Sequence, residues 1–89
     1  MLFEWDETKN QSNIDKHGIH FSDAKEIFKL PVYQFVNDQA YGETRILAIG
    51  LLDHIEITVI YTIRDEKIRI ISARRASQNE RRKYQDLFG

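Results

Sequence analysis

The residues with the most chemical potential gather in one stretch near the C-terminus, KIRIISARRASQNERRKY, Lys67–Tyr84. Its spacing predicts a strand, Lys67–Ala73, running into the adjacent arginines Arg74 and Arg75, then a turn and a short helix. Ser77-x-x-Glu80 has capping-box spacing: the Ser77 hydroxyl can accept the Glu80 amide proton, and the Glu80 carboxylate can reach back to the Ser77 amide. From Arg64 to Tyr84 there are eight Lys/Arg against three Asp/Glu, whereas the rest of the chain has five against eleven. The formal net charge of −1 hides this division. A basic end on an acidic body suits a polyanion. Imidazole would also serve acid–base chemistry near neutrality. His17, His20 and His54 are scattered, however, with no i, i+4 pair, so they give no metal signature. His17 reads first as a cation at a helix C-terminus, favourable with the helix dipole, and the other two read as solvated.

Composition narrows the classes. The 89 residues fit one small domain, and 42% apolar residues with 11% aromatics are ordinary for a folded chain. Cysteine is absent, which excludes disulfides, thiolate metal sites and a cysteine nucleophile, and suits a reducing cytoplasm. MLFEWDETK carries charge within four residues, unlike a signal peptide. No apolar run approaches the ~20 residues that span a bilayer. The expectation is a cytoplasmic protein with no membrane segment and no cofactor.

The elements that must position those side chains follow from patterning. Leu2–Trp5 reads as an edge strand. Asp6 caps a helix, Glu7–His17, and Gly18 stands where a left-handed residue closes it. Ile14 is the one strong apolar residue of that helix, so it is held by its neighbours or covered by another chain. Ser22 caps a second helix, Asp23–Leu30, ended by Pro31. Val32–Val36 is apolar but ambiguous, Asn37–Tyr41 is polar loop, and Gly42 supplies a turn. Glu43–Leu52, Ile55–Arg64 and Lys67–Ala73 then follow as strands joined by two-residue hairpins, Asp53-His54 and Asp65-Glu66. In the middle strand Ile55, Ile57, Val59, Tyr61 and Ile63 share one face. Alternation in the last strand puts Ile68, Ile70, Ser72 and Arg74 together, with Arg75 opposite. The order β-α-α-β-β-β-α predicts an α+β domain with an antiparallel sheet covered by helices on one face.

The N-terminal FEWDETKNQSNIDKHGIHF, the middle GETRILAIG and the later YTIRDEKIRIISARRASQNERRKY resemble the BrnT toxins. Trp5-Asp6, Lys16-His17-Gly18, Gly42-Glu43-x-Arg45 and Ile70–Arg74 carry the likeness, which extends over nearly the whole chain. The stretch between Pro31 and Tyr41 and the last few residues depart from it. The resemblance implies a RelE-like fold and a messenger-RNA endonuclease that inhibits translation, acting on RNA with or without the ribosome. It also implies a neutralising partner of the BrnA type, a ribbon-helix-helix antitoxin assembled with the toxin as a heterotetramer, with DNA contacted only through the antitoxin.

Metal-independent RNA cleavage requires deprotonation of the 2′-hydroxyl, positive charge at the phosphorane and a proton for the 5′-oxygen. By resemblance Arg64 and Arg74 are the phosphate clamps, since guanidinium is planar, always charged and able to grip two oxygens. Tyr84 and Glu80 complete the catalytic candidates, Tyr84 as a stacking or proton-donating group and Glu80 as a base. Arg45, Lys67, Arg69, Arg75 and Arg81 are the candidates for holding RNA. Each has a plainer reading: Arg64 as a solvated turn residue, Arg74 and Arg75 as strand-end charges or Glu80 partners, Tyr84 as core, Glu80 as a cap, and Arg45 as an edge-strand charge. Two other functions stay open at this stage, a non-catalytic antitoxin-binding corepressor and a simple nucleic-acid binder.

Overall fold

A computed structural model describes residues 2–37 and 42–89. The elements are β1 (Phe3–Trp5), α1 (Glu7–His17), α2 (Phe21–Ala24) with a 3₁₀ segment Lys25–Lys29 after it, β2 (Tyr33–Asn37), β3 (Arg45–Leu52), β4 (Ile55–Arg64), β5 (Lys67–Arg75) and α3 (Gln78–Phe88). The strands make one sheet in the order β1-β5-β4-β3-β2. The α+β class and the β3–β4–β5 meander agree with the sequence reading. Two features differ. The ambiguous run after Pro31 forms a fifth strand, β2, antiparallel to β3 at the sheet edge, and β1 joins β5 in parallel, so the sheet is mixed. Of the expected loop Asn37–Tyr41, Asn37 belongs to β2 and the remainder lies outside the described residues.

Both faces of the sheet are covered, by different helices. Ile57, Val59 and Tyr61 of β4 pack with Phe21, Ala24 and Ile27 to form the main core. Gly50 of β3 allows this close approach, because a Cβ there would stand 2.9 Å from Ile27 Cβ. On the other face α3 lays Tyr84 on Ile49, beside Ala76. This corrects the expectation that the helices share one face. The reason is legible in β3, RILAIGLL, which is apolar at both parities and so offers a seat on either side.

A β-bulge reverses the expected alternation of β5. Tyr61 stands opposite Ile70 and Ile60 opposite Ser72, which leaves Ile71 without a counterpart on β4. Ile68 and Ile70 therefore lie on the main-core face with Ala73, while Ser72 and Arg74 lie on the α3 face, opposite Ile60 and Thr58. Arg74 and Arg75 do leave on opposite faces, since Arg75 stands across from Ile57.

α1 is seated by amides in place of apolar side chains. β1 ends opposite Ile70, and beyond the bulge Asn13 takes over the β5 edge. Its Oδ1 accepts from Ala73 N at 3.1 Å, and its Nδ2 donates to Ala73 O and Ile19 O, each at 2.9 Å. Asn10 Oδ1 accepts from Phe21 N at 2.9 Å. That bond satisfies the first amide of α2, so the helix begins at Phe21 with His20 as N-cap and needs no cap from Ser22. Asp6 and Gly18 close α1 as expected, Asp6 accepting from Thr8 N and Lys9 N and Gly18 adopting φ 71°. Both two-residue hairpins form, with φ of 50° and 67° at Asp53 and His54 and 52° and 65° at Asp65 and Glu66.

Candidate functional site

The capping box at the start of α3 is part of a larger polar cluster. Ser77 Oγ accepts from Glu80 N at 3.2 Å, and Glu80 Oε1 accepts from Ser77 N at 2.8 Å. The same carboxylate accepts from the Thr58 hydroxyl at 2.9 Å and takes both guanidinium nitrogens of Arg74, at 2.7 and 3.0 Å. Thr58 is fully buried and Glu80 is 9% exposed. The Arg74 guanidinium, with the Ser77 amide and the Thr58 hydroxyl, outweighs the cost of burial and holds the Glu80 carboxyl at about 2. Arg74 is correspondingly raised, chiefly by its hydrogen bonds to Glu80. A carboxylate that acidic, with four donors on it, is a poor proton acceptor at neutral pH. Its chemistry here is structural: it pins α3 to β4 and β5.

The other candidates of the closing hairpin do not converge. Arg64 at the end of β4 pairs with Glu43 at 3.2 Å. Arg69 pairs with Glu4, its register neighbour on β1, at 3.0 Å, and Lys67 approaches the same carboxylate at 3.9 Å. Six positions of β4 separate Arg64 from Thr58, the residue opposite Arg74, or about 20 Å of strand. Arg64 and Arg74 are therefore not one clamp on a single phosphodiester. Arg75 lies on the main-core face beside His17, Asp53 and Ile57. Arg81 donates to Ala76 O at 3.0 Å, and Tyr84 is buried against Ile49 with its ring 4.9 Å from Phe88.

Positive charge does converge at a different place. A cleft of about 290 Å³ runs between α1 and the β5 bulge, lined by Lys9, Ser12, Asn13, Lys16 and His17 from the helix and by Arg45, Ile71 and Ser72 from the sheet. Three cations from two separate elements thus border one concavity. Of the residues expected to hold RNA, Arg45 is the one found here. Lys9, Ser12, Asn13 and Lys16 went unread as a site, although their i, i+3, i+4, i+7 spacing puts them on one helix face. Arg74 is the same-face neighbour of Ser72 along β5, about 7 Å away, but neither it nor Glu80 lines the cleft. Among the described residues no group of three His, Cys, Asp or Glu is placed to hold a metal ion.

This small mixed sheet, with a basic cleft beside its first helix, belongs to a known class of protein. Residues 5–80 match the family described as ribonuclease toxin, BrnT, of type II toxin-antitoxin system, and the chain belongs to that family. A particular member with a similar structure is the Brucella abortus ribonuclease toxin BrnT, whose crystal structure shares 36% sequence identity with this chain at a TM-score of 0.70. The match covers 88% of this chain and 100% of that one. No curated protein sequence matches the chain.

Proposed function

We propose that the chain is a metal-independent endoribonuclease that cleaves messenger RNA and so inhibits translation, with the scissile phosphodiester held in the cleft between α1 and the β5 bulge. The observation that carries this reading is the convergence of Lys9, Lys16 and Arg45 on one concavity. The closing-hairpin arginines Arg64, Arg69 and Arg74 lie outside this concavity, against Glu43, Glu4 and Glu80. A wall of cations and hydroxyls suits a phosphodiester and repels a divalent ion, which supports chemistry run by side chains alone.

In that chemistry the 2′-oxygen attacks phosphorus and the 5′-oxygen leaves, giving a 2′,3′-cyclic phosphate and a 5′-hydroxyl. Arg45 and the two lysines stabilise the extra charge of the phosphorane. His17 borders the cleft, so its imidazole is placed to serve as acceptor of the 2′ proton or donor to the leaving oxygen. The antitoxin implied by a type II pair is on this reading a BrnA-type ribbon-helix-helix protein in a heterotetramer, acting in the cytoplasm.

The test is purified chain with labelled RNA, in EDTA, with products resolved by their ends. Cyclic-phosphate ends are expected from the wild type. Arg45→Ala and Lys16→Ala are each expected to slow cleavage by about 10²–10³-fold, the range for loss of one transition-state donor, whereas Arg64→Ala stays within a few-fold of wild type. Full cleavage by folded Arg45→Ala would remove the cleft from the mechanism. RNA binding that fades steeply with salt and yields no product would instead identify a plain nucleic-acid binder.

A further inference from the structure

We propose that the groove beside the 3₁₀ segment, on the main-core face of the sheet, is the seat of an antitoxin segment that presents apolar side chains flanked by carboxylates. The inference rests on the type II toxin reading, which supplies the antitoxin. It assigns where and by what chemistry that partner is anchored.

The groove has a volume of about 570 Å³, and its walls include Phe3, Phe28, Val32, Ile63 and Ile68. Tyr61 and Gln34 also line it, the Tyr61 hydroxyl donating to the Gln34 side chain, so these two polar groups satisfy each other. The surroundings continue the apolar character of the walls. Among the described residues seven large apolar side chains are exposed, and four of them, Leu2, Leu30, Val36 and Ile63, line the groove or stand within two positions of a residue that does. Exposed apolar surface gathered around one concavity marks an interaction site, and an amphipathic segment laid into such a groove is a recurrent mode of recognition.

Charge on the rim selects the occupant. Lys25 and Lys29 border the groove. Glu26 borders it too, tied to Lys29 at 2.6 Å, and its carboxyl is held below the ordinary range by that bond first and also by the charge of Lys25, so the rim carries two lysines against one carboxylate. A second copy docked across a two-fold axis would bring two rims of the same net positive sign together. A different chain carrying Asp or Glu beside its apolar anchors meets no such repulsion. The groove opens on the face opposite Arg74 and Ser72. A segment bound here therefore anchors the antitoxin without filling the RNA cleft, and occlusion of the cleft falls to another part of the same partner.

The experiment titrates purified toxin with the antitoxin encoded beside it and measures RNA cleavage by each variant in parallel. Ile63→Asp is expected to weaken antitoxin binding about 100-fold, as loss of a central apolar anchor does. Lys25→Glu with Lys29→Glu is expected to weaken it about 10-fold and to flatten its salt dependence. Both are expected to cut RNA as the wild type does. Should Ile63→Asp fail to fold by circular dichroism, the charge reversal on exposed positions decides alone. Undiminished affinity in the folded variants would overturn the assignment. So would loss of toxin self-association with antitoxin affinity kept, or loss of RNA cleavage in a folded variant. Wild-type chain that never cuts RNA would defeat the ribonuclease reading, and the affinity arm would still judge the groove.

Discussion

α1 and α3 are both polar helices of 11 residues, yet they are fastened to the same β5 strand by different chemistry. α1 is held by neutral amides, with Asn13 standing in for a strand against Ala73. α3 is held by an ionised carboxylate, Glu80, gripped by Arg74 and Thr58. Amides do not titrate, so the first seat is indifferent to pH. The second exists only while Glu80 is charged. The basic cleft lies between these two fastenings, and its α1 wall therefore rests on the pH-independent one.

The largest expected break in this contrast is Asn13→Ala. It removes three hydrogen bonds and strips both backbone groups of a buried strand residue, a loss of about 4 kcal/mol. Chemical denaturation should show the same loss at pH 3 and pH 7. Next comes the pH dependence of α3. The folded Glu80 carboxyl lies at about 2, below its ordinary 4.5, so its contribution is complete above the unfolded value and fades as pH falls from there towards 2. The linkage amounts to about 3 kcal/mol. Glu80→Gln should remove that part of the acid dependence while leaving the Asn13 seat intact, and denaturation midpoints between pH 2 and 6 would show it. A third helical segment serves as an apolar control. Gly50→Ala would press a Cβ within 2.9 Å of Ile27 Cβ and 3.0 Å of Val32 Cγ1, costing about 2 kcal/mol with no dependence on pH. The smallest effect lies outside all the seats and has the opposite sign. Glu66→Gly relieves a left-handed residue at φ 65° and should stabilise the chain by about 1 kcal/mol, seen as a higher Tm.

Features set by neighbours in the chain were readable in advance. The Asp6 and Gly18 caps, the Ser77–Glu80 box, both hairpins and the β3–β5 meander each depend on residues a few positions apart. What was not readable depends on distant partners. Asn13 and Ala73 are separated by 60 positions, Arg69 and Glu4 by 65, and Arg64 and Glu43 by 21. Nothing in a run of basic residues says which are already paired, and the arginine-rich closing hairpin proved to be largely neutralised in place. The cleft was hidden for a related reason. Lys9 and Lys16 sit on a helix with almost no apolar stripe, so its face towards the sheet could not be told from its face towards water. Arg45 was expected to touch RNA, but only the fold sets it beside those lysines.

The surplus residue in β5 has a consequence for comparing relatives. Because Ile71 has no counterpart on β4, it works like a half-twist in a ribbon: everything past it is handed to the other side. A homologue one residue shorter at this point would lose the surplus residue itself, so its serine, alanine and two arginines would meet β4 as they do here. A relative of the same length that paired without the surplus would instead set its first arginine opposite Ile57 and turn its second towards Glu80, so aligned letters there do not by themselves say which arginine meets the carboxylate.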